Sequence, residues 1–253
     1  MAQEVGRSFW VGGVHAVEET LAAKPEDVLE VLLDSDGVRS PQLAALLQAC
    51  RASGRKVRLV QRRELDRVCS GRHGGAAVRV AAGARQDLAG FLRGLDEESR
   101  KDVVLAALDQ VQDPHNLGAI ARSAANFGAA GIIIPERRAS PVTQTAIAAS
   151  AGAIQKIKVF QVVNLSQALA ACKAAGFWIY GADADGEPAW KLKLNRPMVL
   201  VIGSEGEGMR RLVRESCDNL VGIPQSASGV ESLNASCAAS VLLYEIWRQR
   251  TAP

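Results

Sequence analysis

The sequence predicts an α/β protein whose larger, C-terminal part is a mostly parallel sheet with helices on both faces. From residue 102 onward, short apolar segments alternate with longer segments of helical periodicity. The apolar segments are almost continuous, as in strands that are buried on both faces. The chain has 253 residues, of which 48% are hydrophobic and 23% charged. It is therefore long enough for a real core and unlike a disordered or fibrous protein.

The strands predicted in this part are apolar runs between turn residues. They are 103–109, 131–134, 157–162, 177–182, 198–203 and 219–223. The predicted helices carry apolar residues at helical spacing. They are 114–127, 143–150, 165–175, 208–215 and 235–249. Asp113 is suited to cap the first of these helices, Pro114 to begin it and Gly128 to end it.

A small α/β unit is predicted before this sheet, over residues 1–80. Its predicted helices are 16–23 and 42–52, and its predicted strands are 28–33, 57–60 and 76–80. Residues 81–101 lose the strand pattern and become small and charged, which predicts a linker. The expected domains are therefore 1–80 and 102–253.

The charge of the chain is nearly balanced, but residues 51–79 hold nine basic and two acidic residues. A net charge of +3 excludes a wholesale polyanion binder, so any contact with nucleic acid must be local. The basic stretch predicts an RNA-binding face that includes Arg58, Arg62 and Arg63; an ordinary solvated surface is the alternative. The stretch contains no aromatic residue, which favours phosphate or shape contacts over base stacking.

No apolar run approaches the roughly 18 residues of a membrane span, and the N-terminus lacks the pattern of a secretory signal. We therefore expect a cytoplasmic protein. Its five cysteines are widely spaced, with no C-x-x-C pair, which predicts reduced, buried thiols and no metal site.

Open α/β sheets bind ligands at the carboxyl ends of their strands, which directs attention to the loops after residues 109, 203 and 223. The second loop, 203–209, holds three glycines, which allow close approach of a ligand. Its acidic Glu205 and Glu207 would repel phosphates, so a phosphate cradle is disfavoured. Taken singly, Asn116, Ser232 and Asn234 could be no more than helix-terminal polar residues.

Together, the three segments resemble in order and spacing the three motifs of the SpoU (TrmH-like) branch of the SPOUT RNA 2′-O-methyltransferases. The segments are Asp113-Pro-x-Asn116-x-Gly118-Ala-Ile-x-Arg122-Ser-Ala, Gly203-Ser-Glu205-Gly-Glu-Gly-Met209, and Ile223-Pro224 followed by Val230-x-Ser232-Leu233-Asn234. Residues 12–19, with His15 and Glu19, also resemble the N-terminal RNA-binding domain of that family. The two-domain layout and the C-terminal ending 244–250 are most similar to members that methylate a guanosine ribose in the peptidyl-transferase region of 23S rRNA.

The resemblance implies a trefoil knot in the C-terminal domain, one of the rare exceptions to unknotted topology, and S-adenosylmethionine as the cofactor. The residues that it assigns to the cofactor are Gly203, Ile223 and Leu233. Those that it assigns to the active site are Asn116, Arg122, Glu205, Ser232 and Asn234. No metal is required, because the methyl donor carries its own leaving group.

The chemistry fits these residue types, because a ribose 2′-hydroxyl must lose its proton as it attacks the methyl group. A guanidinium is ordinarily never deprotonated, so we expect Arg122 to bind phosphate and to stabilise the developing alkoxide. Glu205 is expected either to orient Arg122 or to accept the proton. Asn116, Ser232 and Asn234 are expected to position the ribose and to support the loops.

Three alternative functions remain. The first is a tRNA ribose methyltransferase or a ribosomal antibiotic-resistance methyltransferase, and the second is a catalytically silent RNA-binding module. The third, a nicotinamide oxidoreductase, is disfavoured because no G-x-G-x-x-G follows the strand that ends at 109.

A homodimer is also expected. The family pairs its protomers next to the knot, and helix 235–249 carries more apolar residues than one buried stripe needs. These residues are Val241, Leu242, Leu243, Tyr244, Ile246 and Trp247.

Overall fold

Two units, 1–84 and 85–253, make up the fold in a computed structural model, and each is built around its own sheet. The residues that the structure describes are 8–23, 25–69, 73–81, 86–137, 139–140, 142–226 and 232–251.

The N-terminal unit has four strands in the order β1-β4-β2-β3. They are β1 (Ser8–Gly12), β2 (Val28–Asp34), β3 (Val57–Val60) and β4 (Ala76–Ala81). Its helices are α1 (Val14–Ala23), α2 (Pro41–Ala52) and α3 (Arg62–Val68). The strands and helices predicted between residues 16 and 80 are confirmed, whereas β1 and α3 were not predicted. Helix α3 has no apolar periodicity, because it is largely charged and buries only Leu65.

Helices cover both faces of this small sheet. Helix α3 packs on the face that carries Leu32 and Ala77. Since side chains alternate along a strand, the buried Val31 and Leu33 point to the opposite face, where α1 and α2 pack. The basic residues between 51 and 79 therefore do not form the single face that the sequence suggested. They are divided between α2, the loop that holds Arg55 and Lys56, β3, α3 and β4, and Arg72 lies outside the described residues.

The C-terminal unit has a six-stranded sheet in the order β10-β8-β9-β5-β6-β7, and all its strand pairs are parallel. The strands are β5 (Val104–Leu108), β6 (Gly131–Pro135), β7 (Lys158–Val162), β8 (Trp178–Pro188), β9 (Met198–Ile202) and β10 (Asn219–Gly222). The helices are α4 (Leu88–Arg93), α5 (Glu97–Arg100), α6 (Pro114–Asn126), α7 (Gln144–Ala149), α8 (Ala153–Lys156), α9 (Leu165–Ala174), α10 (Arg211–Glu215) and α11 (Ala235–Thr251). The predicted fold class is confirmed.

The linker predicted over 81–101 is wrong from residue 88 onward. Helices α4 and α5 lie there, and α4 contributes Leu88 and Leu92 to the core of the C-terminal unit. These two short helices were not recognised because the segment is rich in small and charged residues. Each begins at an aspartate cap, Asp87 or Asp96. Residues 82–85 of the predicted linker lie outside the described residues.

Helices also cover both faces of the large sheet. One face packs against α4 and α9 through a cluster that includes Leu105, Phe160 and Leu169. The alternate strand residues, such as Ala106 and Leu108, are equally buried and point to the other face, where α6 and α11 lie. Helix α6 approaches α7 closely at Gly118, where a Cβ would lie 2.5 Å from the carbonyl oxygen of Ala146.

All five cysteines are free thiols. Cys50, Cys69 and Cys172 are buried, as expected, and burial raises the pKa of the Cys172 thiol to about 12. Cys217 is only half-buried, and the expectation is wrong for Cys237, which lies exposed in the first turn of α11. No helix within the described ranges is long and apolar enough to cross a membrane.

Candidate active site at the carboxyl ends of the strands

The site is built where β5 and β9 end side by side. The two strands pair in parallel as far as Leu108 and Ile202. The backbone N–H of Asp109 then donates to the carbonyl of Ile202 over 2.8 Å. Their following loops consequently leave the sheet at the same edge, as expected from the sequence.

The loop after β9 is a tight glycine-rich turn, residues 203–208. Ser204 and Gly208 exchange backbone hydrogen bonds of 3.0 and 3.1 Å across it. Gly208 has a φ of +67°, and a Cβ on Gly203 would lie 2.3 Å from the Gly208 carbonyl carbon. Glycine is thus required at both positions, and the turn presents Glu205 at an exposed tip.

Helix α6 carries Asn116 toward this tip. The side chain of Asp113 caps the helix by accepting a hydrogen bond from the N–H of His115, and Pro114 is the first helical residue, as predicted. In the first turn, Asn116 Nδ2 donates to Glu205 Oε1 over 2.8 Å. The first and second motifs therefore meet directly.

Asn234 joins the third motif to the other two while it caps helix α11. Its Oδ1 accepts hydrogen bonds from the N–H groups of Ser236 (2.8 Å) and Cys237 (3.3 Å). Its Nδ2 donates to Asn116 Oδ1 over 3.1 Å and also to Glu205 Oε1. Asn234 is therefore both a capping residue and a site residue. We call Asn116, Glu205 and Asn234 the Asn–Glu–Asn cluster.

A cavity of about 430 Å³ lies beside this cluster. Gly203, Ile223, Leu233 and Ser232 all line it, together with Glu205. Further apolar walls come from Ile202, Val221 and Leu242, and further carboxylates from Asp183 and Glu207. The cavity therefore combines an apolar interior with acidic groups, which suits a ligand that has a flat apolar part and positive charge. Val230 of the third motif lies outside the described residues.

Arg122 does not join the Asn–Glu–Asn cluster. It lies six residues after Asn116 on α6, about 9 Å along the helix axis, and lines another cavity, of about 530 Å³, with Lys156 and Lys158. Both Arg122 and Glu205 are described, and no ion pair joins them within the chain. Within a single chain, Glu205 therefore does not orient Arg122, contrary to the expectation. Its carboxylate accepts hydrogen bonds from Asn116 and Asn234 instead.

The three arginines proposed for RNA binding have different surroundings. Arg58 forms ion pairs with the buried Glu30 (3.3 Å) and with Glu64 (2.9 Å). Much of its positive charge is therefore neutralised within the N-terminal unit. Arg62 and Arg63 begin helix α3 and are exposed. Among the described residues, neither of these two forms an ion pair.

One residue pair near the site was missed from the sequence. Asp109, at the end of β5, is fully buried and binds Arg210, which follows the glycine-rich turn. An acidic residue directly after an entirely apolar strand was the available signal, since a buried carboxylate needs a partner.

Known proteins share this architecture. Residues 103–244 match the SpoU rRNA Methylase family, and residues 10–84 match the RNA 2′-O ribose methyltransferase substrate binding family. The 23S rRNA (guanosine-2′-O-)-methyltransferase RlmB of Xanthomonas campestris is 40% identical over 95% of this chain and 96% of its own. YacO of Bacillus subtilis, whose name gives the TrmH family and leaves tRNA and rRNA open, is 40% identical over 95% and 96% of the two chains.

A solved crystal structure of a SpoU methyltransferase is similar to this chain over almost its whole length. The SpoU methyltransferase AviRb from Streptomyces viridochromogenes, in complex with its cofactor AdoMet, superposes with a TM-score of 0.81. Its sequence is 26% identical, and the match covers 97% of this chain and 91% of AviRb.

The double role of Asn234 can be separated by substitution. Asn234→Ser keeps a capping oxygen but removes both Nδ2 hydrogen bonds, so we expect a melting temperature near that of the wild type. Asn234→Ala also removes the cap, which costs about 1 kcal/mol and lowers Tm by about 2–4 °C. Both variants should lose methyl transfer on the order of 100-fold, because the cluster is no longer held in position. Thermal unfolding and methyl-transfer rates measure the two effects, and a wild-type rate for Asn234→Ser would reduce Asn234 to a helix cap.

Proposed function

The chain belongs to the SpoU rRNA methylase family, and we propose that it uses S-adenosylmethionine to methylate the 2′-oxygen of a guanosine ribose in 23S rRNA. The observation that carries this proposal is the Asn–Glu–Asn cluster, in which all three motifs converge on one edge of the cofactor-sized cavity. The relatives called RlmB act on this RNA by name, and we place the target in the peptidyl-transferase region and the enzyme in the cytoplasm.

The residues of the cavity fit S-adenosylmethionine. Ile202, Ile223 and Leu233 supply apolar surface for an adenine ring, and Gly203 lines the same cavity, where its backbone groups are available to the cofactor. The cofactor is positively charged at its sulfonium, which favours the acidic lining at Glu205 and Glu207. These glutamates disfavour a phosphate-bearing dinucleotide at the same place. When bound, S-adenosylmethionine supplies an activated methyl group with its own leaving group.

The protein's own residues then position the ribose and manage one proton. The 2′-hydroxyl loses this proton as its oxygen takes the methyl group, so a base or a stabilising positive charge is needed. Glu205, exposed and held through Oε1 by two amide groups, is placed to accept a hydrogen bond from the hydroxyl. Asn116 and Asn234 hold the carboxylate in this position, and Ser232, which lines the cavity, is the proposed contact to the ribose. Arg122 binds an RNA phosphate and so places positive charge near the reacting ribose.

Mass mapping of ribose methylation tests the proposed reaction. The protein is incubated with labelled S-adenosylmethionine and, in parallel, with unmodified 23S rRNA and with bulk tRNA. Label at the 2′-oxygen of one guanosine of 23S rRNA is the expected result. Label on tRNA alone would show that the enzyme is a tRNA methyltransferase. Cofactor binding without methylation of either RNA would favour a catalytically silent RNA-binding module.

Helix α3 of the N-terminal unit is the proposed RNA-binding element, through Arg62 and Arg63. Replacing both with Ala should weaken RNA affinity and lower the slope of log K against log salt, by about 0.9 for each duplex phosphate that is no longer neutralised and by less on single strands. Affinity for the cofactor should not change. Arg51→Ala is the matched control, because this exposed arginine lies on α2, across the sheet. An unaltered salt slope in the double variant would assign Arg62 and Arg63 to ordinary solvated surface.

We propose that the enzyme is a homodimer with a knotted C-terminal domain. Leu242, Leu243 and Ile246 of α11 are buried against the chain's own core, but Val241, Tyr244 and Trp247 are 42–47% exposed. Phe127, directly after α6, packs against the rings of Tyr244 and Trp247, at centroid distances of 5.8 and 6.3 Å. This contiguous apolar face suits a second copy of the chain.

Light scattering tests the dimer. The wild type should have the mass of a dimer at micromolar concentration. Trp247→Glu should give a monomer, because it places a charge in the proposed apolar interface. Leu212→Glu, on α10, is the control for an exposed apolar residue outside the face and should remain a dimer. A monomeric wild type would refute the proposal.

Substitution of Arg122 tests its role as a charge that acts in the transition state. Arg122→Ala should lower kcat by at least about 100-fold, while the affinity for S-adenosylmethionine stays nearly constant, because Arg122 lines a different cavity. Arg122→Lys should recover little activity if the planar fork binds phosphate in a bidentate manner. Rapid-quench turnover at saturating RNA and isothermal titration of the cofactor are the two measurements. A wild-type turnover of Arg122→Ala would remove Arg122 from the active site.

A further inference from the structure

Asp109 and Arg210 form a buried ion pair between the loops that carry the Asn–Glu–Asn cluster. The Asp109 carboxylate is fully buried. Its Oδ1 accepts hydrogen bonds from Arg210 Nε (2.7 Å) and Nη2 (2.6 Å), and its Oδ2 accepts one from the Arg210 backbone N–H (2.8 Å). The guanidinium side chain is 37% exposed, so the pair extends from the core to the surface.

The pair links the two segments that carry Asn116 and Glu205. Asp109 directly follows β5 and begins the segment that leads through the Asp113 cap to Asn116. Arg210 follows the glycine-rich turn that presents Glu205, and it directly precedes α10. Beyond this pair, the two segments join again at the Asn116–Glu205 hydrogen bond. The ion pair is thus a second connection between them, placed at the base of both loops.

Stability alone does not account for a charged pair in this position. Replacing a buried ion pair with apolar residues of similar volume is often neutral or stabilising, and here only the carboxylate is buried. In contrast, the three hydrogen bonds from Arg210, two to Oδ1 and one to Oδ2 of Asp109, set direction as well as distance. The neighbouring Gln110 has a φ of +60°, a conformation that non-glycine residues adopt only when their surroundings impose it.

We propose that Asp109 and Arg210 are positioning residues for methyl transfer, which hold Asn116 and Glu205 at the separation that the reaction needs. The inference rests on the proposed methyltransferase function. The pair lies outside the lining of the cofactor cavity.

Arg210→Gln tests this role, because it removes both side-chain hydrogen bonds and leaves the backbone N–H on Asp109. We expect the single-turnover rate of methyl transfer to fall at least about tenfold at saturating RNA and cofactor, with the KM for RNA unchanged. Arg210→Lys, which restores charge without the fork, should be intermediate. Arg211→Gln is the matched control. It makes the same change at the neighbouring residue, where it breaks only the exposed ion pair with Glu215, so its rate should be that of the wild type.

A double-mutant cycle with Asn116→Ala separates positioning from general destabilisation. If the pair acts through the cluster, Arg210→Gln adds almost nothing to the loss that Asn116→Ala causes alone. Losses that multiply, or a wild-type rate for Arg210→Gln, would overturn the proposal.

Hydrogen exchange provides a readout that does not depend on activity. In Arg210→Gln, the amides of 113–117 and 203–209 should exchange faster than in Arg211→Gln. Equal exchange in the two variants would overturn the positioning role. An inactive wild type with the expected exchange difference would instead count against the proposed methylation and leave the ion pair's effect on the loops established.

Discussion

The parallel pairing of β5 with β9 is the constraint on which the site depends. The two strands are far apart in sequence, but their register runs to Leu108 and Ile202, so both chains leave the sheet at the same level. Only then can Asn116, one helical turn into α6, reach Glu205 at the tip of the glycine-rich turn. A shift of one residue would turn every strand side chain to the other face, and the buried residues on both faces make such a shift very costly.

The residues that cap helices α6 and α11 also position the side chains of the site. The Asp113 cap and Pro114 set the start of α6, and therefore the direction of Asn116. Asn234 caps α11 with its oxygen and binds Glu205 and Asn116 with its nitrogen. Because one amide group satisfies the helix terminus and the cluster together, the start of the last helix and the position of the site carboxylate are coupled.

The sequence predicts the fold and most of the site, and what it misses has physical causes. Continuous apolar runs identify the buried strands of the large sheet, whereas α3 and α4 lack such patterns because one is mainly charged and the other short. Motif spacing groups Asn116, Glu205 and Asn234 correctly. It cannot show that Arg122 faces another cavity or that Glu30 neutralises Arg58, because both depend on neighbours that are remote in sequence.

The distribution of charge within the C-terminal unit explains how one nearly neutral chain can bind two ligands of opposite charge. The cofactor cavity has Glu205, Glu207 and Asp183 in its lining, while the cavity at Arg122 has Lys156 and Lys158 and, among the residues described there, no carboxylate. A cationic cofactor and an RNA phosphate are therefore favoured at different places. The ribose must nevertheless approach Glu205 while its phosphates are repelled by the same carboxylate. In the proposed mechanism, the positive charge of Arg122, about two turns after Asn116 on α6, would offset that repulsion by binding the phosphates of neighbouring nucleotides. The uncharged 2′-hydroxyl would then be the group that faces the glutamate.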